Sequence, residues 1–266
     1  MKRNSSQDST KTNVLAEQSK NALKTAEEAI DQVVMANRIL GNEGVLDALG
    51  HVSVRNPENN NTFFQARSIS PFEVTKGDIL EIDLDGNVLT RTKKRPYGER
   101  IIHGAILKAR LEMNAVFHGH FAAVIPFSVT NTPIRPITHV GSFLYQGVPL
   151  YDDYDPGSGM LIKTKHEGER IAKNLGTHRA QLLRGHGCNI VAETLPRLVA
   201  SAIYLRDNAS IQWQTILSNK KAKYLSRDEA KHAMEAALFG QNAIDRMWRY
   251  WVARVKRNMS DMKNWK

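Results

Sequence analysis

Apolar residues recur along this chain at two spacings, and the changes from one to the other lay out its elements. From about Val14 to Leu40, the residues Ala22, Ala26, Ile30, Val33 and Val34 keep the three-to-four-residue spacing of an amphipathic helix, which Gly41-Asn42 closes. Short runs at His51–Arg55, Thr62–Ala66, Ile79–Asp83 and Val88–Thr90 predict strands. Asn56-Pro57 and Asn59-Asn60-Asn61 mark a loop, and Asp85-Gly86 between two alternating runs is a hairpin signal. A helix is expected from Glu99 to about Met113, with Ile102, Ile106 and Ala109 inward. Ala115-Val116-Phe117 reads as the next strand, followed by the apolar stretch Ala122–Val129. The Asp- and Gly-rich segment Tyr151–Gly159 reads as a long loop.

Beyond it come a helix over Thr164–Leu175, paired strands at Ala180–Leu183 and Cys188–Val191, and a long helix to about Leu217. Thr194 caps that helix and Pro196 sits in its first turn. Ser226-x-x-Glu229 is a capping box that opens the last helix. Helices at both ends around short, mostly hairpin-linked strands argue for an α/β fold: helices packed on a central, largely antiparallel sheet.

Length and charge refine this outline. A chain of 266 residues suits one sizeable core. The expected division is a disordered tail over residues 1–12, a domain over 13–257 that includes a C-terminal helical extension, and a tail over 258–266. The net charge of +10 raises the question of nucleic acid. The cations concentrate near the ends, at Lys2, Arg3, Lys11, Lys20 and Lys24 and again at Lys220, Lys221, Lys223, Arg254, Lys256, Arg257, Lys263 and Lys266. With no Arg-rich or RNP-like motif, the expected partner is a small anionic molecule rather than nucleic acid. Cys188 is the only cysteine, which excludes an internal disulfide, and it reads as a small buried hydrophobe. Met1–Asn13 lacks an apolar signal core and no run approaches a membrane span, so a cytoplasmic protein with no membrane partner is expected.

The candidate chemistry lies in Glu99, His118, His120 and His186. In a strand, residues i and i+2 share a face, so His118 and His120 can converge on one point. His186 lies between Gly185 and Gly187. A lone histidine is more often a satisfied polar residue than a ligand, but glycines beside all three let an ion approach the backbone closely. Three imidazoles and a carboxylate suit one divalent ion per chain, zinc first, with manganese, iron or cobalt as alternatives. Such an ion stabilises the negative charge of an enolate, which both retro-aldol cleavage and loss of CO₂ create.

From about Ala29 to Gln212 the chain resembles the class II aldolase/adducin family. The motifs, in order, are Gly50-His51-Val52-Ser53-Val54-Arg55, Ile69-Ser70-Pro71 before the Asp78–Ile82 strand, Glu99 upstream of His118-Gly119-His120, and Leu183-Arg184-Gly185-His186-Gly187. The resemblance implies a class II aldolase-like three-layer α/β/α fold. It also implies a metal held by His118, His120 and His186, with Glu99 as ligand or acid/base, and a homotetramer with its active site at a subunit boundary. Where the sugar-phosphate aldolases of the family hold phosphate, this chain has Ser70-Pro71-Phe72-Glu73 and Pro96-Tyr97-Gly98, and His51 replaces the usual Asn. Phe72 and Tyr97 would crowd a phosphate. Gln65-Ala66-Arg67-Ser68 with Glu99–Gly104 looks more like the branch that decarboxylates 2-hydroxy-3-carboxymuconic semialdehyde and dihydroxyphthalate.

The expected function is therefore a metal-dependent lyase, a decarboxylase of a hydroxylated aromatic or muconic-type polycarboxylate. Glu99 and His103 are the acid/base candidates, with His103 orienting Glu99, relaying a proton or, as readily, making a structural hydrogen bond. His51, Arg67 and Ser68 are the candidates for holding substrate carboxylates. The alternatives are an aldolase or epimerase acting on a small sugar-like substrate, an adducin-like structural protein, and a basic nucleic-acid-binding module. The three histidines speak against the structural protein.

Overall fold

The computed structural model describes residues 23–130, 132–234 and 240–265. Its first element is helix α1 (Ala26–Asn42), where Thr25 and Glu28 form a reciprocal capping box. The expected start at Val14 and the 1–12 tail lie outside the described residues. Strands β1 (His51–Arg55), β2 (Thr62–Ala66) and β3 (Ile79–Asp83) follow. Helix α2 (Arg100–Ala109) then leads to β4 (Ala115–Gly119). After the short helix α3 (Ile125–Val129) come β5 (Leu150–Tyr151), helix α4 (Lys165–Leu175), and the strands β6 (Ala180–Leu183) and β7 (Gly187–Ala192). Helices α5 (Leu195–Leu217), α6 (Arg227–Ala233) and α7 (Gln241–Asn258) complete the order.

The strands form one seven-stranded sheet in the order β3-β2-β1-β4-β7-β6-β5. Every pairing is antiparallel except β5 with β6. Period-2 alternation sends its side chains into two separate cores. Val52, Val54, Phe64, Phe117, Cys188 and Ile190 pack with Val33, Ile39, Leu198 and Trp251 of α1, α5 and α7. Phe63, Leu80, Ile82, Val116 and Val191 pack on the other face with Ile102, Ile106, Ile171 and Leu175 of α2 and α4. The result is the expected three-layer α/β/α arrangement.

Four local expectations change. Ala109 is exposed, since α2 turns its buried face through Ile102, Ile106 and Leu107 and ends there. Val88–Thr90 makes only a single bridge, Ile82 with Val88, rather than a strand. The loop at Tyr151 begins as β5, which pairs in parallel with β6. Residues 258–265 do not trail away as a tail: Met259 and Met262 are buried in the core, and Asp261 pairs with the buried Arg38 at 2.7 Å.

Arg55, the last residue of the β1 motif, is buried and donates to the carbonyls of Leu107 (2.6 Å), Met113 (3.1 Å) and Asn60 (2.7 Å). A cation at this point satisfies the Leu107 carbonyl, one that the end of α2 leaves without a helical partner. It thereby ties α2, which begins beside Glu99, to the sheet. Burial pushes the Cys188 thiol up, so it behaves as an apolar side chain.

Candidate metal centre

Three pieces of chain meet at one end of the central strands. His118 lies in the buried run of β4, on the side of Val116 that faces the α2/α4 layer, and His120 follows where the strand stops at Gly119. His186 sits on the β6–β7 turn, which closes through the bond from the His186 amide to the Leu183 carbonyl (3.1 Å). Gly185 adopts φ +60° there, a left-handed conformation suited to glycine, and its amide donates to Ser128 Oγ at 3.1 Å. At Gly187 a Cβ would overlap the Gly119 carbonyl oxygen, so glycine allows β4 and β7 to close up beside the histidines. Glu99 stands at the N-cap of α2.

The ligand atoms of Glu99, His118, His120 and His186 all lie within 4.8 Å of one another. His120 Nε2 is 3.2 Å from both His118 Nε2 and His186 Nε2. Glu99 Oε2 is 3.5 Å from His118 Nε2 and 3.6 Å from His186 Nε2. Nitrogens about 2.0–2.1 Å from a tetrahedral zinc are about 3.3–3.4 Å apart, so the observed spacing fits a divalent ion. Converging imidazole lone pairs repel one another unless a cation or proton lies between them, and the donor set supports the same reading. Glu99 Oε1 accepts from the Ile162 amide at 2.9 Å, which leaves Oε2 toward the histidines.

Electrostatics favour the forms of Glu99, His120 and His186 that can bind a metal. Burial opposes ionisation of Glu99, but the His118 hydrogen bond and charge, the Ile162 amide and His186 outweigh it and hold the carboxyl at about 2. Burial and then the charge of His118 bring His186 down to about 4, against the opposing pull of Glu99. Burial also lowers His120, helped by His118 and resisted by Asp47.

The far nitrogens of the ligands have different supports. His118 Nδ1 meets Asn189 Oδ1 at 2.8 Å. His120 Nδ1 meets Asp47 Oδ1 at 3.2 Å, and Asp47 is itself fixed by the amides of Leu49 (3.0 Å) and Gly50 (2.7 Å). His186 Nδ1 is buried with no close hydrogen-bond partner, and the Met160 main chain lies nearest to supplying one. Outer partners of this kind fix ring orientation and tautomer.

His51 and His103 form a second cluster against the first. His51 pairs in register with His118 across β1 and β4, and their ring centroids are 5.1 Å apart. His103 Nε2 is 2.6 Å from His51 Nδ1, and His103 Nδ1 is 2.6 Å from Ser53 Oγ. Burial lowers both histidines well below 6.5, and neighbouring histidines push the same way. Both His103 nitrogens are engaged by Ser53 and His51, which is the structural hydrogen bond among its expected roles, rather than by Glu99. Tyr97 lies against His51, with ring centroids 4.6 Å apart, and its hydroxyl donates to the Ile69 carbonyl at 2.6 Å.

Arg67 and Ser68 stand outside this hydrogen-bond network. Arg67 Nε is 2.7 Å from Asp78 Oδ1, a carboxylate shared with Lys94 (3.2 Å) and Thr75. Ser68 is exposed. The structure thus brings together Glu99, His118, His120 and His186, with His51 and His103 beside them. It adds Asp47, Ser53 and Asn189, which the sequence reading does not single out. Asn189 carried a signal, as an amide in the middle of an apolar strand, whereas Asp47 sits in an unremarkable loop.

Comparison with known proteins agrees with this geometry. The chain is 32% identical over 243 residues to Decarboxylase tropJ of Talaromyces stipitatus, covering 82% of this chain and 90% of that protein. It is 28% identical over 244 residues to 3,4-dihydroxyphthalate decarboxylase of Arthrobacter keyseri, covering 85% of this chain and 94% of the relative. The fold superposes on L-fuculose 1-phosphate aldolase from Glaciozyma antarctica with a TM-score of 0.76 and 24% identity, over 93% of this chain and 98% of the other. Residues 31–213, which carry the whole Glu/His₃ cluster, match the Class II Aldolase and Adducin N-terminal domain, and the chain belongs to that family.

Proposed function

We propose that this protein is a metal-dependent decarboxylase of a hydroxylated aromatic or muconic-type polycarboxylate. The coarser statement, a lyase of the class II aldolase family, has the support of the family match and of the decarboxylases similar to it. The observation that carries the reading is the convergence of three imidazole Nε2 atoms and one carboxylate oxygen within 4.8 Å. Decarboxylation rather than cleavage of a sugar phosphate is favoured by Tyr97, buried against His51 at a place where, by the resemblance, the sugar-phosphate aldolases of the family hold phosphate.

A divalent ion held by His118, His120 and His186, zinc first among the candidates, supplies electrophilic stabilisation of charge developing on a substrate oxygen. The protein's own groups do the rest. Ionised Glu99 takes the substrate's hydroxyl proton at Oε2 while the Ile162 amide holds Oε1. As the C–C bond breaks and CO₂ leaves, its electron pair stays on carbon, and Glu99 returns the proton there. One further proton comes from solvent and restores the hydroxyl. Neutral His51, held by His103 and Gln65, presents a polar edge to the substrate beside His118. Arg67 and Ser68 are proposed to hold a second carboxylate. A homotetramer is the proposed assembly. Among the described residues, no helix is long and apolar enough to cross a membrane.

Elemental analysis of the purified protein is expected to show about one Zn²⁺, Mn²⁺, Fe²⁺ or Co²⁺ per chain. Metal content unchanged in the His118→Ala/His120→Ala double variant would overturn the assignment. The wild-type enzyme is expected to release CO₂ from a panel of hydroxylated aromatic and muconic polycarboxylates. Release of aldehyde from a ketose or aldose phosphate, with no CO₂ from any polycarboxylate, would replace the decarboxylase with an aldolase. Arg67→Ala is expected to keep the metal and to weaken substrate binding by about 1.5–3 kcal/mol, the range of a charge-assisted hydrogen bond. Asp78 retains Lys94 and Thr75 as partners in that variant, so a matching loss of stability instead of binding would make Arg67 purely structural.

A further inference from the structure

We propose that Asn189 and Gln181 are positioning residues of the metal centre: a buried amide relay that fixes the His118 tautomer and so keeps the Nε2 lone pair toward the ion. The inference rests on the metal-binding reading above and concerns residues that make no contact with the ion themselves.

The relay follows the sheet. Asn189 pairs in register with His118 across β4 and β7, and with Gln181 across β6 and β7. All three side chains therefore stand in one row on the α2/α4 face, and all three are fully buried. His118 Nδ1 is 2.8 Å from Asn189 Oδ1. Asn189 Nδ2 donates to Gln181 Oε1 at 2.9 Å. Gln181 Nε2 donates to the Ile171 carbonyl at 3.0 Å and to Asn174 Oδ1 at 2.7 Å.

The direction of the chain is forced from its far end. A peptide carbonyl can only accept, so the Ile171 oxygen requires the amino group of Gln181 to face it. Gln181 must then offer Oε1 to Asn189, and Asn189 must offer Oδ1 to His118. An amide oxygen accepts, so His118 Nδ1 has to carry the hydrogen. A neutral imidazole has one N–H, and its Nε2 is left with the lone pair a metal needs. Asn174 gives the same direction independently, because its own Nδ2 is spent on the Leu150 carbonyl at 3.2 Å. The ligand state of His118 is thus set by two main-chain carbonyls of the α4 and β5 region: that of Ile171 through fully buried side chains, and that of Leu150 by way of the exposed Asn174.

The decisive measurement is the His118 tautomer in metal-free wild-type protein at neutral pH, read from two-bond ¹⁵N–¹H correlations. Hydrogen on Nδ1 is expected, and hydrogen on Nε2 would overturn the proposal. Titration with Zn²⁺ alone supplies the second readout. Asn189→Leu is expected to lower affinity about 10–100-fold, as loss of an outer-shell partner typically does. Asn189→Asp, which keeps an acceptor at the same place, is expected to recover most of it. Equal weakening in the two variants would mean that the position serves packing only. If wild-type protein binds no Zn²⁺ at all, the metal reading itself fails, whereas Zn²⁺ binding with the other tautomer sinks only the relay.

Discussion

Glu99→Gln is expected to lower turnover by about 10²–10⁴-fold, the usual worth of a positioned acid/base, while metal content stays near the wild-type level. The amide keeps the shape of the carboxylate and can still use its oxygen to accept from the Ile162 amide, which holds Oε1 at 2.9 Å. It cannot take up the substrate's proton and give it back to carbon. The three Nε2 atoms of His118, His120 and His186 remain, and they alone form a ligand set of the catalytic type with a position left open. Steady-state CO₂ release and elemental analysis on the same preparation separate the two roles. Activity and metal falling together would make Glu99 a plain ligand.

Metal-free protein is expected to lose stability between pH 7 and pH 5, by about 2 kcal/mol from His186 and by a further amount of the same sign from His51 and His103. The loss comes from buried histidines that stay neutral. Burial holds His51 and His103 well below 6.5, and burial with the His118 charge brings His186 to about 4. In the unfolded chain the same groups titrate near 6.5. Their contribution is therefore complete above that value, and below it the unfolded state binds protons that the folded state refuses. For His186 each unit of pH below 6.5 costs about 1.4 kcal/mol, or about 2 kcal/mol by pH 5. Glu99 works in another window: its depressed carboxyl stabilises above its ordinary value near 4.5 and fails only toward about 2. Urea unfolding in the presence of a chelator, at pH 7 and pH 5, reads the difference. An unchanged midpoint would show that these imidazoles are solvated or already paired with protons.

What could be read from the sequence divides along the range of the forces involved. His118 and His120 are legible because strand parity is local, and His186 because glycines on both sides leave room for a ligand. The strands β1 to β4, β6 and β7 are legible from short alternating or apolar-rich segments between turn signals. β5 is not, because two residues show no period and its only support is a partner, β6, that is distant in sequence. The Thr25-x-x-Glu28 box is a local signal for the start of α1 that the longer apolar periodicity overran. His103 could be placed on a helix one turn from Glu99, but its bonds to Ser53 and His51 depend on how β1 crosses under α2. Asp47 depends on the same crossing. Asn189 and Gln181 are not singled out by the sequence, because the row they form appears only when β6, β7 and β4 are laid side by side.

The ligands come from three stretches of chain: the end of β4, the β6–β7 turn and the N-cap of α2. A cation held among them is a clasp across the fold, since none of these stretches can peel away without giving it up. Its grip on the native chain grows with the logarithm of the free ion, by about 2.7 kcal/mol at a hundredfold excess over Kd. Resistance to heat and to proteases would then follow metal supply as well as the packing of the two cores. A variant that merely binds the ion less tightly would look, in a cell short of that ion, like one that folds badly.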